Sequence, residues 1–255
     1  MEIFVEYIIP FIFGSIVGSF LNVCIFRLPE GHSIVSPGSY CPNCHNSIKF
    51  YDNIPVLSFL LLGGKCRKCK HPIPIRYPIV EALAGLVSLA LFLKFGLSLS
   101  YLTYLVFCFA LIVVTFVDLQ HRLIPDIISL PGIILGLIAS IFLDEITTID
   151  SLIGIAIGGG SLFLVAVGYH LFTKKEGMGG GDIKLLAMIG AFLGWKSVLL
   201  TIFIGSALGS LVGLTLMAIA GKDRTYAIPF GPFLAIGAMV YLFWGDIIIR
   251  YYLGW

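Results

Sequence analysis

Charge is scarce in this sequence. Asp, Glu, Lys and Arg make up 12% of its 255 residues, whereas a soluble globular chain carries about 25%. So few charges cannot cover a water-facing surface, and a hydrophobic content of 58% places the chain among membrane proteins. Long polar stretches are equally rare, with one between residues 29 and 76. No secretory leader is expected either. The first apolar run, Tyr7–Phe26, follows Glu2 and Glu6 rather than lysines and has no A-x-A-like end, so it is expected to be a retained span. There is no internal repeat of the kind that transporters carry. The partner the composition demands is a lipid bilayer, and no nucleic acid is expected.

What is present is a series of apolar runs, at Tyr7–Phe26, Tyr77–Leu93, Leu99–Val117, Ile127–Leu143, Leu152–Phe172, Ile183–Gly194, Val198–Ala220 and Ile228–Ile249. Most approach the roughly 20 residues a helix needs to cross the hydrocarbon. They predict an all-α polytopic protein of about eight transmembrane helices. The short sixth run is either set in a thinned bilayer or a half-helix joined to the seventh. With the amino terminus outside, 13 of the 16 lysines and arginines fall on the cytoplasmic side, and only Lys94, Lys196 and Arg250 fall outside. Both termini are therefore expected outside. Glycine pairs four apart, such as Gly14/Gly18, Gly132/Gly136, Gly154/Gly158, Gly190/Gly194 and Gly205/Gly209/Gly213, are expected to pack helices closely.

The polar segment holds four of the six cysteines. Cys41-Pro-Asn-Cys44 and Cys66-Arg-Lys-Cys69 are two C-x2-C pairs separated by 21 residues. Such knuckles offer four thiolates to a structural metal, and zinc suits them best. A reducing cytoplasm argues against disulfides, and Lys65, Arg67, Lys68 and Lys70 are expected to favour the thiolates. The expected division is 1–28 as a first span, 29–76 as a zinc-binding cytoplasmic domain, and 77–255 as the main membrane domain.

Two aspartates stand out. Asp118 ends a nearly unbroken apolar run, where an ionisable group is costly and marks function. Asp182 closes Gly177-Met-Gly-Gly-Gly-Asp182 and opens the sixth helix, where it is also a natural N-cap. No G-K-[ST] follows the glycines, so they are not a phosphate loop. Both aspartates are expected at one end of the bundle. Two neighbouring carboxylates share a proton, so one activates water while the other protonates a departing amide. A proton-relay transporter and a non-catalytic assembly protein are the alternatives.

The motif Gly179-Gly180-Gly181-Asp182, with a second aspartate ending an earlier span, resembles the G-x-G-D membrane aspartic proteases. Gly18-Ser-Phe-Leu-Asn-Val-Cys-Ile-Phe-Arg-Leu-Pro29, the two knuckles, Arg76-Tyr-Pro-Ile-Val-Glu81, Asp118-Leu-Gln-His-Arg-Leu-Ile-Pro-Asp126 and Ile228-Pro-Phe-Gly-Pro-Phe-Leu-Ala235 resemble bacterial type IV prepilin peptidases. The resemblance implies a bacterial inner-membrane enzyme with Asp118 and Asp182 as catalytic residues. Its substrates would be type IV prepilins and the pseudopilins of secretion or competence systems. It also implies N-methylation of the new terminus from S-adenosylmethionine, associated with the cysteine domain; a peptidase without that second activity is the alternative. Glu81 and Gly179 to Gly181 are candidate contacts for substrate or donor, although Glu81 also suits a helix N-terminus. Asp126 is expected to stabilise the first turn of its own helix.

Overall fold

The computed structural model describes residues 2–174, 179–220 and 228–253. Gly177 and Met178 of the glycine motif, and Lys175, Lys222 and Arg224 of the charge pattern, lie outside them. The described residues form helices and no strand. Contacts divide the chain into one unit of residues 1–113 and a second of 114–255.

The first unit contains α1 (Glu2–Arg27), α2 (Leu57–Leu61), α3 (Arg76–Phe95) and most of α4 (Leu99–His121). α1 packs along α3 because glycines let the backbones meet. A side-chain carbon on Gly14 would lie 2.5 Å from the Ala84 carbonyl, and one on Gly18 would lie 2.8 Å from the Glu81 Cα. Ser88 ties the pair by donating to the Pro10 carbonyl at 2.7 Å, and it also meets the Tyr101 hydroxyl at 2.8 Å. The segment between α1 and α3 carries the cysteine knuckles, a 3-10 turn (Phe50–Asn53) and α2.

The second unit contains the end of α4, α5 (Asp126–Ala139), α6 (Thr148–Thr173), α7 (Gly180–Leu193), α8 (Trp195–Ala220) and α9 (Gly231–Leu253). Among the described residues, α1, α3, α4, α6, α8 and α9 are long and apolar enough to cross a membrane. The remaining two of the eight expected spans are shorter, at 14 residues each. At 1.5 Å per residue they reach about 21 Å, short of about 30 Å of hydrocarbon. The run Ile127–Leu143 stops being helical at Ala139, where Ser140 caps the helix. α7 compensates by being enclosed, with Leu185 to Leu193 all buried. Gly194, at φ +79°, joins it directly to α8.

The enclosure depends on close backbone approach. α6 meets α7 where Gly154 faces Gly190, and a carbon added to either glycine would collide with the other's carbonyl oxygen. Ser151 donates to the Ala191 carbonyl at 2.8 Å beside this crossing. Not every expected glycine pair works this way. Gly194 serves the turn, and carbons on Gly205 and Gly209 would make ordinary contacts of 3.4 to 3.7 Å. Overpacking a tight crossing costs about 1–3 kcal/mol or more. Gly190→Val is therefore expected to lower the melting temperature of the detergent-purified protein by several degrees, whereas Gly205→Ala leaves it within about a degree.

Candidate functional site

Asp118 lies in the last turn of α4, 5% exposed. Its Oδ2 accepts a hydrogen bond of 2.9 Å from the backbone N–H of Gly231, the first residue of α9. The first N–H groups of a helix have no intrahelical partner, and the dipole there favours negative charge. The carboxylate therefore takes the place of a cap for α9. A carbon added at Gly231 would lie 2.7 Å from that same oxygen, so the position has room only for hydrogen.

Asp182 is the third residue of α7. The helix begins at Gly180 after Gly179 as N-cap, so Asp182 is not the cap that its place in the sequence suggested. Its N–H donates to the Gly179 carbonyl at 3.2 Å. Of the neighbouring glycines, Gly181 is required by packing, because a carbon there would lie 2.8 Å from Ile124 Cβ. Gly179 and Gly180 are exposed and leave accessible backbone beside Asp182. Ile124 joins the two halves of the site. It touches Gly181 on one side and lies 3.3 Å from a carbon built on Gly231 on the other. The two expected aspartates are thus brought to either side of Ile124. Sequence reasoning assigned no role to Gly231 or Ile124, although both sit in the motifs Ile228–Ala235 and Asp118–Asp126. Asp126, expected to serve its own helix, also pairs with Lys184 of α7 at 2.7 Å.

The four cysteines of the first unit converge. Their sulfurs lie within 4.8 Å of one another, and those of Cys41 and Cys69 are 3.8 Å apart. Metal–sulfur bonds of about 2.3 Å at tetrahedral angles place sulfurs about 3.8 Å apart, so the cluster fits a thiophilic metal such as zinc. The two knuckles repeat each other. Cys41 N–H donates to the Asn46 carbonyl, and Cys66 N–H to that of His71, each at 2.9 Å. His45 and Lys70, each just after the second cysteine, share a left-handed backbone at φ 54° and 59°.

Backbone N–H groups, rather than the expected cations, act most strongly on Cys44, Cys66 and Cys69. The His71 N–H, followed by the Asn43 amide, draws Cys69 down to about 6. The N–H groups of Cys69 and Lys68 lower Cys66. The Asn46 N–H pulls on Cys44, yet burial and the three neighbouring sulfurs push that thiol up to about 11. Arg67 instead grips Asp52 with bonds of 2.6 and 2.9 Å, which holds that carboxyl below its usual range.

Glu81 is buried in α3 and accepts from the Val56 N–H at 2.7 Å. Val56 has φ +59°, a strained backbone for a β-branched residue. The carboxylate therefore fastens the cysteine-bearing segment to α3.

Residues 12–95 match the family described as Bacterial Peptidase A24 N-terminal domain, and residues 105–214 match the Type IV leader peptidase family. A protein of Pseudomonas putida named prepilin leader peptidase/N-methyltransferase is 38% identical, covering 92% of this chain and 89% of its own. Relatives of the same name from Pseudomonas aeruginosa and Legionella pneumophila are 39% and 37% identical, covering 94% and 98% of this chain and 91% and 95% of theirs. No solved structure matches. None of these likenesses supports a transporter. They run through both units and nearly the whole chain, and so the protein belongs to the type IV leader peptidase family.

Proposed function

We propose that this multi-pass inner-membrane protein is an aspartic endopeptidase that removes the leader from type IV prepilins and pseudopilins, and then N-methylates the new terminus. The observation that carries the peptidase half is the meeting of Asp118 and Asp182 around Ile124 and Gly231. The dyad shares one proton. The ionised carboxylate takes a proton from water as the water oxygen attacks the scissile carbonyl carbon. The protonated partner then gives its proton to the amide nitrogen as the carbon–nitrogen bond breaks. The pair acts as a unit, without separate roles for its members. The exposed backbone at Gly179 and Gly180 is suited to pairing with an extended substrate beside Asp182. The excess of lysine and arginine in the loops on one side supports a cytoplasmic location for the dyad and the cysteine segment, with both termini outside.

Methylation is assigned to residues 29–76 together with their supporting helices, with S-adenosylmethionine as the donor of an electrophilic methyl group. Cys41, Cys44, Cys66 and Cys69 hold one zinc. A closed set of four thiolates leaves no position for a substrate, so the metal maintains the fold of the segment. The peptidase core is residues 77–255.

Asp118→Asn and Asp182→Asn are each expected to lower leader cleavage by roughly 10² to 10⁴-fold with normal membrane insertion, measured by the mass of the prepilin product. Near-normal cleavage by either variant refutes the dyad.

Gly231→Ala should displace Asp118 without removing any reacting group. A misplacement on the scale of 1 Å costs about 100-fold, so kcat for cleavage is expected to fall by about that factor while thermal unfolding changes little. Unchanged kcat would show that the Gly231 contact does not position the aspartate.

Elemental analysis should find one zinc per chain. Replacing Cys41 and Cys44 with serine should remove it and lower methylation more than cleavage, both read from one product spectrum. A proportional fall in the two would make the segment part of the peptidase scaffold.

A further inference from the structure

The first unit contains a partly open cavity of about 340 Å³ between the cysteine segment and the ends of α1 and α3, within the size range of small-molecule sites. Its wall contains a buried polar atom without a partner. Asn22 is 2% exposed and donates its amide N–H to the Tyr77 carbonyl at 3.1 Å, yet its side-chain oxygen accepts nothing among the described residues. Unsatisfied buried acceptors are rare and costly. Arg27, one and a half turns further along α1, is also buried. Its guanidinium holds the carbonyls of Ser33, Pro37 and Gly38 at 2.9, 2.7 and 3.3 Å, and no carboxylate pairs with it among the described residues. A buried cation ordinarily has an anionic partner. Glu81 contributes a carboxylate to the same wall, and Phe26, Tyr40 and Tyr77 contribute aromatic surface.

We propose that this cavity binds the methyl donor, S-adenosylmethionine. The inference rests on the methyltransferase half of the proposed function and assigns that half a location. The donor carries a carboxylate, an ammonium group, a sulfonium and a purine, and the cavity offers a complement to each. Arg27 takes the carboxylate. Glu81 faces the cationic part, its negative charge supplying the attraction while one oxygen keeps its bond to Val56. The aromatic wall receives the purine, and the vacant Asn22 oxygen accepts an N–H from the donor. A site for a peptide alone would require neither a buried cation without a carboxylate partner nor this mixture of charges in one cavity. The backbone strain at Val56, held by a cavity-lining carboxylate, is of the kind that accumulates at binding sites.

The test is equilibrium dialysis of tritiated S-adenosylmethionine against the full-length protein in lipid nanodiscs, with ultraviolet crosslinking and peptide mapping. Wild type is expected to bind one donor per chain and to crosslink within α1, α3 or the cysteine segment. Glu81→Gln keeps an acceptor for Val56 but loses the charge, and Asn22→Leu removes the vacant oxygen. Each should weaken donor binding at least tenfold while zinc content and melting stay at wild-type values. Leu61→Ser, on an exposed residue of the same segment outside the cavity wall, should bind as wild type does. Donor binding that both cavity variants retain within twofold, or a crosslink elsewhere in the chain, overturns the location and leaves the methyltransferase reading standing. Absence of both donor binding and product methylation overturns the reading itself, and the location with it.

Discussion

A fourteen-residue helix is shorter than the hydrocarbon of a typical bilayer, and the second unit is arranged around that constraint. α7 is too short to be exposed to lipid along its length and is instead wrapped by its neighbours. Wrapping requires α6 to come within backbone contact, which only hydrogen side chains at Gly154 and Gly190 allow. Asp182 sits at the unburied start of this helix. The short length of α7 also brings a carboxylate to the end of a rigid element, where a protein needs a reacting group to be held firmly.

The opposite carboxylate is fixed by different means. Asp118 belongs to a long helix, and its orientation comes from one N–H of another helix rather than from packing alone. Gly231 is thereby two things at once, a donor and an absence of volume. In the first unit the cysteine segment is small and has no hydrophobic core of its own, so three kinds of tie substitute for one: the clustered sulfurs, the Arg67–Asp52 grip, and the bonds that Arg27 donates to the segment and Glu81 accepts from it.

Much of this could be read from the chain because its signals are local. The scarcity of charge specified the membrane, the spacing of Cys41, Cys44, Cys66 and Cys69 specified their convergence, and Asp118 stood out against the apolar run before it. Helix length was less legible. Ile127–Leu143 is apolar throughout, and hydropathy does not register that Ser140 ends the helix early. The N-cap preference of aspartate misplaced Asp182 by a turn, because Gly179 takes that position. The partners of the site were hidden for a different reason. Gly231 is 113 residues from Asp118, and nothing at either position announces the other. Nor could the lysines and arginine of the second knuckle be dismissed beforehand as governors of the thiols. Only the fold reveals that backbone N–H groups point at the sulfurs.

The bond between Glu81 and Val56 has an evolutionary consequence. A carboxylate enclosed in α3 is tolerable because a peptide N–H from the cysteine segment and the Ser19 hydroxyl of α1 meet it. A relative that had shed residues 29–76 would keep the acid and lose the Val56 donor, leaving the Ser19 hydroxyl of α1 to serve it alone. Position 81 should therefore be inherited with the segment and drift to an uncharged residue wherever the segment has been deleted. Two stretches that are separate in sequence would then share one history, linked through the bond between Glu81 and Val56.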